Sequence, residues 1–315
     1  MFQGAATSTD RLERGVNNIL SFDVEDWPQS TLDLSLPVSR RVCDNTYRLL
    51  DLLGEAGARG TFFVLGLVVE AFPDLVRRIR DAGHELASHG YSHRRVDRMQ
   101  PEEFRADLRR SLSLIEDAAG ERVLGYRAPD FSIGGRSFWA LEILAEEGIL
   151  YDSSIFPISG PRYGVRAAFT VPFRVRSAFS MEFVEFPLTT ISCLRNRLPA
   201  AGGGYFRLLP YRVSRAAIAR INRQGVPATT YFHPYELDPT EFEDSPHRIP
   251  FFLRLSQGLM RTRVEGRLRR ILRDFSWCPA RDWIGVGATL TGSRVLDLTP
   301  LPVGEARWLV RENSA

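Results

Sequence analysis

Short apolar stretches, rich in β-branched residues, alternate with amphipathic helical patterns over about two hundred residues of the chain. Apolar runs of this length predict buried strands, and an apolar residue at every third or fourth position predicts a helix. The predicted strands are Asn18–Val24, Thr61–Leu65, His84–Ser88, Val123–Tyr126, Tyr151–Asp152, Glu182–Pro187 and Ala228–Phe232. The predicted helices are Val42–Gly57, Glu70–Ala82, Pro101–Ala119, Arg136–Glu147 and Tyr211–Gln224. The alternation predicts an α/β fold with a parallel sheet or barrel, and a site on the loops that follow the strands.

The pattern changes from about Pro239 onward. Leu253–Phe275 is Arg-rich with a helical period, whereas the residues from Trp277 show no period. We therefore divide the chain into an N-terminal tail (1–17), an α/β domain (18–238) and an Arg-rich helical C-terminal extension (239–315) packed on that domain. A solvated helix face explains the arginines most simply, and a substrate lid is the alternative.

The composition is that of a globular protein. The 315 residues suffice for one large domain with an appendage. All 41 basic residues are Arg, and the formal net charge is only +3. An Arg-only surface could bind phosphates, although the base composition of the genome is the simpler explanation. Cys43, Cys193 and Cys278 are far apart, which argues against a zinc ribbon, a redox motif and a disulfide framework.

The sequence carries no recognisable membrane or secretion signal. No apolar run approaches the ~20 residues that a membrane span needs, and Met1–Asn18 lacks the apolar core of a signal peptide. We expect a cytoplasmic enzyme with no transmembrane segment and no nucleic-acid partner. Assembly into a homo-oligomer is left open.

Two histidines follow the third predicted strand in the sequence His89-Gly-Tyr-Ser-His93. Imidazoles four residues apart lie on one face of a helical turn and can share a metal ion. A pair of surface histidines at a helix start is the alternative, and the spacing alone leaves the two interpretations even.

Three carboxylates end the first predicted strand, in the sequence Asp23-Val-Glu25-Asp26. Carboxylates at the exit of a buried strand are costly unless a cation meets them. In an extended strand Asp23 and Glu25 project to the same side. One can then ligate a metal while the other accepts a proton from water. A solvated acidic strand end is the alternative, plausible for Asp26 and weak for Asp23.

Two further strand ends carry candidate catalytic groups. Arg127, in an Arg-Ala-Pro-Asp sequence, would keep a neighbouring carboxylate ionised and oriented as a base, and a loop amide near Asp130 could supply an oxyanion-hole donor. His233 suits a general acid, and Asp152 could pair with it and raise its pKa. Taken singly, each group has a simpler explanation: a surface ion pair, a buried structural histidine or a helix cap.

Aromatic residues near these motifs are candidates for contacts to a substrate. Trp27 and Tyr91 are predicted to line the mouth of the site. The glycine run at 202–204 could bring backbone close to a ligand, which makes Tyr205 a third candidate. A flexible turn explains the glycines equally well. A barrel would gather all these strand ends, and together they contain the parts of a metal-dependent amidohydrolase.

The motifs also match those of a known family in order. Phe22–Asp26, Ser88–His93, Tyr126–Pro129, Tyr151–Phe156 and Tyr231–Pro234 resemble the five motifs of the polysaccharide deacetylases, carbohydrate esterase family four. The resemblance covers roughly Asn18 to Leu237, includes the chitooligosaccharide deacetylases, and implies a distorted (β/α) barrel. The strings Thr61–Gly66, Arg127–Ser132 and Gly202–Pro210 resemble a narrower branch, found in exosortase (PEP-CTERM) exopolysaccharide loci. That branch also has an Arg-rich C-terminal extension.

The resemblance implies roles for the residues. A divalent metal, Zn²⁺ by preference, would be held by His89, His93 and one carboxylate. The usual first motif has two adjacent Asp, whereas here Glu25 is our choice of ligand and Asp26 its rival. Asp23 would be the base oriented by Arg127, and His233, tuned by Asp152, would protonate the leaving amine.

The resemblance also implies the substrate, an N-acetylated glycan or a lipid-linked sugar precursor. Gly90 departs from the usual Ser or Thr of the second motif, which removes a hydroxyl group but no ligand. Two alternatives remain open at this point. One is an allantoinase-like hydrolase of small amides, with or without a metal, and the other is a catalytically silent glycan-binding barrel.

Overall fold

The computed structural model describes residues 15–160, 162–177, 181–193, 196–284, 294–298 and 307–310. The strands are β1 (Asn17–Ile19), β2 (Ser21–Val24), β3 (Thr61–Val64), β4 (Glu85–Ser88), β5 (Gly125–Tyr126), β6 (Tyr151–Asp152), β7 (Phe173–Arg176), β8 (Glu182–Glu185), β9 (Thr190–Cys193), β10 (Asn196–Pro199), β11 (Ser276–Cys278), β12 (Arg294–Asp297) and β13 (Arg307–Val310). The α-helices are α1 (Arg41–Ala56), α2 (Gly66–Ala71), α3 (Pro73–Asp81), α4 (Pro101–Ala119), α5 (Trp139–Glu146), α6 (Gly203–Leu208), α7 (Tyr211–Asn222), α8 (Phe251–Gly258), α9 (Val264–Asp274) and α10 (Arg281–Ile284).

A nine-stranded mixed sheet forms the centre of the fold, in the order β13-β12-β7-β8-β6-β5-β4-β3-β2. The strands β2 to β6 are parallel to their neighbours, and β8 is parallel to β6. Their C-terminal ends therefore meet at one edge, as the sequence predicts for the site. The strand β7 runs antiparallel to β8 and joins the sheet to β12.

The predicted strand at 228–232 pairs only through isolated bridges. Thr229 bridges to Ile19, and Phe232 bridges to Phe22 in β2. On the other side the amide of Thr189 donates to the carbonyl oxygen of Thr229 at 3.1 Å. The segment thus lies between β2 and the chain that follows β8, an arrangement consistent with a distorted barrel.

Local signals explain where the helices begin and end. The helix α4 has the predicted bounds, because Pro101 occupies its first turn and Gly120 ends it with a φ of +68°. The predicted helix at 70–82 is divided at Phe72, since Pro73 begins a new helix. The predicted helix at 253–275 is likewise divided, and Met260 adopts a φ of +63° between α8 and α9.

The C-terminal part of the chain contributes strands as well as helices. The helix α9 packs against α1, β11 pairs with β1, and β12 with β13 extends the central sheet. The proposed boundary between 238 and 239 stays a prediction, and most of the predicted tail lies outside the described residues. Among the described helices, none combines the length and apolar character that crossing a membrane requires.

Candidate active site

A pocket of about 380 Å³ opens where the parallel strands end. Asp23 lies in β2 and Glu25 directly follows that strand, while His89 follows β4 and His233 follows the 228–232 segment. All four side chains line the pocket. The parallel topology therefore gathers the motifs that the sequence places at separate strand ends.

Glu25, His89 and His93 form a buried cluster at the base of the pocket. One ligand atom from each lies within 4.8 Å of the other two. Nε2 of His93 is 2.6 Å from Oε2 of Glu25, and Nε2 of His89 is 3.9 Å from the same oxygen. One carboxylate and two imidazoles are the ligand set of many catalytic zinc sites.

The loop that carries the two histidines is not the helical turn that the sequence predicts. Gly90 has a φ of +77° and His93 a φ of +61°. The amides of Gly66 and Leu67 donate to the carbonyl oxygens of Gly90 and Tyr91, both at 2.9 Å. The φ of Gly90 is one that glycine adopts without strain. A bent loop rather than a helix face brings the imidazoles together.

The hydrogen bonds around the cluster suit a cation. Nδ1 of His89 lies 2.8 Å from the carbonyl oxygen of Arg127. A proton on Nδ1 leaves the lone pair of Nε2 directed towards Glu25, as in metal-bound histidines. Oε2 of Glu25 is buried, and among the basic groups of the described residues only the imidazoles of His93 and His89 approach it within 4 Å. A buried carboxylate oxygen that faces two imidazole nitrogens fits a divalent metal.

The charges of the cluster depend on one another. Burial raises the pKa of Glu25, but the neighbouring His93, His233 and His89 outweigh it and lower that pKa to about 2. Burial lowers the pKa of His93, yet the charge of Glu25 brings a net rise. Burial dominates at His89, whose pKa is lowered. Glu25 is therefore a carboxylate at neutral pH, the form that binds a metal.

Asp23 and Arg127 form a buried ion pair beside the cluster. Nη1 of Arg127 donates to Oδ1 of Asp23 at 2.7 Å. The rest of the guanidinium is fixed by Ser153, through its carbonyl oxygen at 3.1 Å and its hydroxyl at 2.9 Å. The other carboxylate oxygen of Asp23, Oδ2, lies 3.9 Å from Nε2 of His233. Arg127 thus orients Asp23 with one oxygen directed towards His233.

His233 takes its charge partner from its own loop. Its Nδ1 lies 3.3 Å from Oε2 of Glu236, and its Nε2 lies 3.6 Å from Oε1 of Glu25. Burial lowers the pKa of His233, but the bond to Glu236 and the charges of Glu25 and Asp23 outweigh it and raise the pKa to about 9. Oε1 of Glu236 in turn accepts from the buried Arg207 at 3.0 Å.

The predicted pairing of Asp152 with His233 is wrong. Asp152 is buried at the end of β6, where it accepts from the Ser154 hydroxyl at 2.6 Å and hydrogen-bonds with Glu185. Burial raises its pKa to about 6, and it does not line the pocket. Sequence analysis missed Glu236, although its place three residues after His233 is the spacing of a capping box.

Two of the four predicted substrate contacts, Trp27 and Tyr91, are not among the residues that line the pocket. Trp27 is fully buried against Phe242, with ring centroids 4.6 Å apart. Tyr91 donates to Glu70 at 2.8 Å, and Arg110 stacks on its ring. Packing on these partners keeps both rings out of the pocket lining.

Asp130 and Tyr205 do line the pocket. Asp130 is held there by Arg162, at 2.7 and 2.8 Å from its two oxygens. Asp26, the rival metal ligand, lies outside the cluster and accepts from the amide of Ser39 at 2.9 Å and from its hydroxyl at 2.7 Å. Ser39 therefore draws the Asp26 carboxylate away from the histidines.

Two family profiles match adjoining parts of the chain. Residues 30–145 match the polysaccharide deacetylase family. That match covers less than half of the chain. Residues 153–285 match a domain of unknown function, DUF3473.

Two curated relatives each match a little over a third of the chain. A peptidoglycan deacetylase of Helicobacter pylori is 34% identical over 119 residues, which are 38% of this chain and 40% of that protein. A peptidoglycan deacetylase-like protein of Gibberella zeae is 34% identical over 110 residues, 34% of this chain and 32% of that protein. The chain thus matches less than half of the length of either relative.

The likeness to solved structures extends over most of the chain. A candidate polysaccharide deacetylase from Mycobacterium smegmatis superposes with a TM-score of 0.60 over 88% of this chain and 91% of that one, at 21% identity. The α/β fold is therefore of the polysaccharide deacetylase type.

Proposed function

We propose that the chain is a metal-dependent N-deacetylase of an amino-sugar glycan or its precursor, acting in exopolysaccharide biosynthesis. The buried Glu25, His89 and His93 cluster, which lies beside Asp23 and His233 in one pocket, carries the proposal. The deacetylases named among the relatives support the reaction class.

Glu25, His89 and His93 would hold the metal. A divalent cation there would supply Lewis-acid chemistry to an amide carbonyl and a water molecule. The carbonyl oxygen of Arg127 fixes the orientation of His89. Of the carboxylates in the first motif, Glu25 is the proposed ligand.

The chain's own side chains would move the protons of amide hydrolysis. Asp23, held by Arg127, takes a proton from the attacking water as the new C–O bond forms. His233 gives a proton to the amine nitrogen as the C–N bond breaks, so that acetate and a free amino sugar leave. A loop amide near Asp130 would donate to the oxyanion. Glu236 would orient His233, in the role that sequence analysis gave to Asp152.

The shape and lining of the pocket suit a sugar. Tyr205 and Tyr163 present aromatic rings to it, and Asp130 with Arg162 adds polar groups at the same opening. Aromatic rings with a few fixed polar groups are the usual lining of a small-molecule site. N-acetylated glucosamine oligomers are therefore the first substrates to test.

The test is acetate release from N-acetylglucosamine oligomers, after chelation and after adding back Zn²⁺ or Co²⁺. We expect release to stop with the chelator and return with the metal. Metal content and release should fall together in His89→Ala and His93→Ala, whereas His247→Asn, in a loop outside the pocket, should change neither. Turnover that the chelator leaves intact, with cyclic amides preferred, would instead support a small-amide hydrolase. Glycan binding without acetate under any metal would support a silent binding module.

A further inference from the structure

A group of large apolar side chains on one face of α8 is exposed to solvent. Phe251, Phe252 and Leu255 are 72%, 81% and 52% exposed, and Leu259 just after the helix is 49% exposed. At about 100° per residue, the three helical positions lie within an arc of about 100°. Apolar side chains scattered singly on a surface need no explanation, whereas several on one helix face are typical of a docking surface.

The opposite face of α8 fixes the helix to the protein. Leu253 packs on the buried cluster that contains Trp27 and Phe242. Arg207 donates to the carbonyl oxygen of Ser256 at 3.0 Å, and Arg261 donates to that of Gln257 at 2.9 Å. The apolar face is therefore presented on an anchored helix.

The segment that carries this face is basic, although the exposed Glu243 and Asp244 precede it. Residues 245–263 contain four Arg and no Asp or Glu. Arg248, Arg254 and Arg263 are exposed, and none of the three forms an ion pair with a carboxylate in the described part of the chain. Exposed phenylalanine and leucine beside unneutralised arginines are the pattern of a helix that lies in the interface of an anionic lipid membrane.

We propose that α8 docks the protein on an anionic lipid surface. Phe251, Phe252 and Leu255 would enter the acyl boundary, and Arg248 and Arg254 would meet the phosphate headgroups. The helix has only eight residues, so the binding should be reversible rather than a permanent anchor.

The helix α8 also borders the mouth of the active-site pocket. Ser256 and Gln257 of the same helix line the pocket, as do the exposed Tyr205 and Leu208 of α6. Docking would therefore hold the mouth next to the lipid surface. We expect the lipid surface to present a lipid-linked or membrane-bound glycan to the mouth of the pocket, and this expectation rests on the proposed function.

The experiment is flotation of the full chain with phosphatidylglycerol–phosphatidylcholine vesicles and with pure phosphatidylcholine vesicles. We expect binding to the anionic vesicles that weakens with added salt. Phe251→Ser/Phe252→Ser should lower the partition coefficient at least about tenfold. Arg248→Gln/Arg254→Gln should lower the partition coefficient about fivefold per arginine on anionic vesicles, and should leave binding to pure phosphatidylcholine vesicles unchanged. The matched control is Leu150→Ser/Met181→Ser, which removes two exposed apolar side chains that precede β6 and β8, at the opposite end of the sheet.

Absent vesicle binding, or binding that the α8 variants leave unchanged, would overturn the proposal. A dimer in sedimentation that the Phe251→Ser/Phe252→Ser variant abolishes, without vesicle binding, would overturn it in favour of an interface between copies. Acetate release from soluble oligomers is measured in parallel. Vesicle binding without acetate release would contradict the proposed function alone, and release without vesicle binding would contradict the docking alone.

Discussion

The carbonyl oxygen of Arg127 lies 2.8 Å from Nδ1 of His89, while the guanidinium of the same residue holds Asp23 at 2.7 Å. One position thus orients a proposed metal ligand through its backbone and the proposed base through its side chain. The two contacts can be separated by mutation, because a substitution changes the side chain and leaves the carbonyl group in place.

Arg127→Lys should lower kcat while metal affinity stays within about threefold. Lysine keeps the positive charge but cannot bind Asp23 and Ser153 together with a planar fork, so the base loses its fixed position, at a cost of about 100-fold in rate. Steady-state kinetics and a metal-competition titration measure the two effects. Parallel losses of metal and activity would show that the side chain supports the metal site instead, and a melting curve checks that the variant folds.

Glu25→Gln and Asp26→Asn should differ in metal binding. Glu25→Gln removes the charge of a proposed metal ligand. It should lower metal affinity by more than the roughly 10- to 100-fold that is typical when a residue hydrogen-bonded to a ligand is removed. Asp26→Asn should keep the metal but lose about 1–3 kcal/mol of stability, because a buried carboxylate that accepts two bonds from Ser39 is replaced. Metal analysis and urea unfolding of both variants decide the matter. If Asp26→Asn lost the metal and Glu25→Gln kept it, Asp26 rather than Glu25 would be the metal ligand.

The sequence predicts that the main site residues lie close together, because the periodicity of the strands shows which residues share a side and where each strand ends. Asp23 lies in β2 and Glu25 directly follows its last residue, and residues two apart in extended backbone project to the same side. The ends of parallel strands then bring them to the same edge of the sheet as His89 and Arg127. These features depend on local period and chain order, and both can be read from one sequence.

The errors have both local and distant causes. His233 contacts Glu236, three residues later in the same loop, whereas the predicted partner Asp152 lies at the end of β6. Trp27 is buried by Phe242, more than two hundred residues later. The predicted helix at 253–275 is interrupted near Met260. Gly258 is a weak local signal for this interruption, and the helical period of the apolar residues does not reveal it.

Glu236→Gln should move the alkaline limb of the kcat profile to lower pH. Glu236 helps to raise the pKa of His233 to about 9, so removing its charge lowers that pKa and the imidazolium form is lost earlier as pH rises. We expect a fall of about tenfold or more in kcat near neutral pH, within the range for a general acid. Both enzymes are compared in the same metal-loaded state. Glu243→Gln, an exposed neighbour, is the control, and an alkaline limb shared by all three proteins would refute the pairing.

Glu85→Gln should change how stability depends on pH without changing metal binding. Glu85 accepts from the hydroxyl groups of Thr61 at 2.5 Å and Tyr151 at 3.0 Å and from the amide of Arg281 at 3.0 Å. Burial raises its pKa from 4.5 to about 7. The folded state therefore binds the proton more tightly than the unfolded state. This stabilisation is complete below about pH 4.5 and is lost as pH rises to about 7, by up to about 3 kcal/mol.

Urea unfolding at about pH 5 and about pH 8 tests this linkage. Wild type should lose stability relative to Glu85→Gln between the two conditions, since glutamine does not titrate. Glu102→Gln, on the exposed side of α4, should follow wild type. The difference between proteins isolates Glu85 from other buried carboxyls, such as Asp152, that titrate in the same range. Equal pH dependence in wild type and Glu85→Gln would mean that Glu85 is already ionised in the folded protein at about pH 5, with its three donors outweighing the cost of burial.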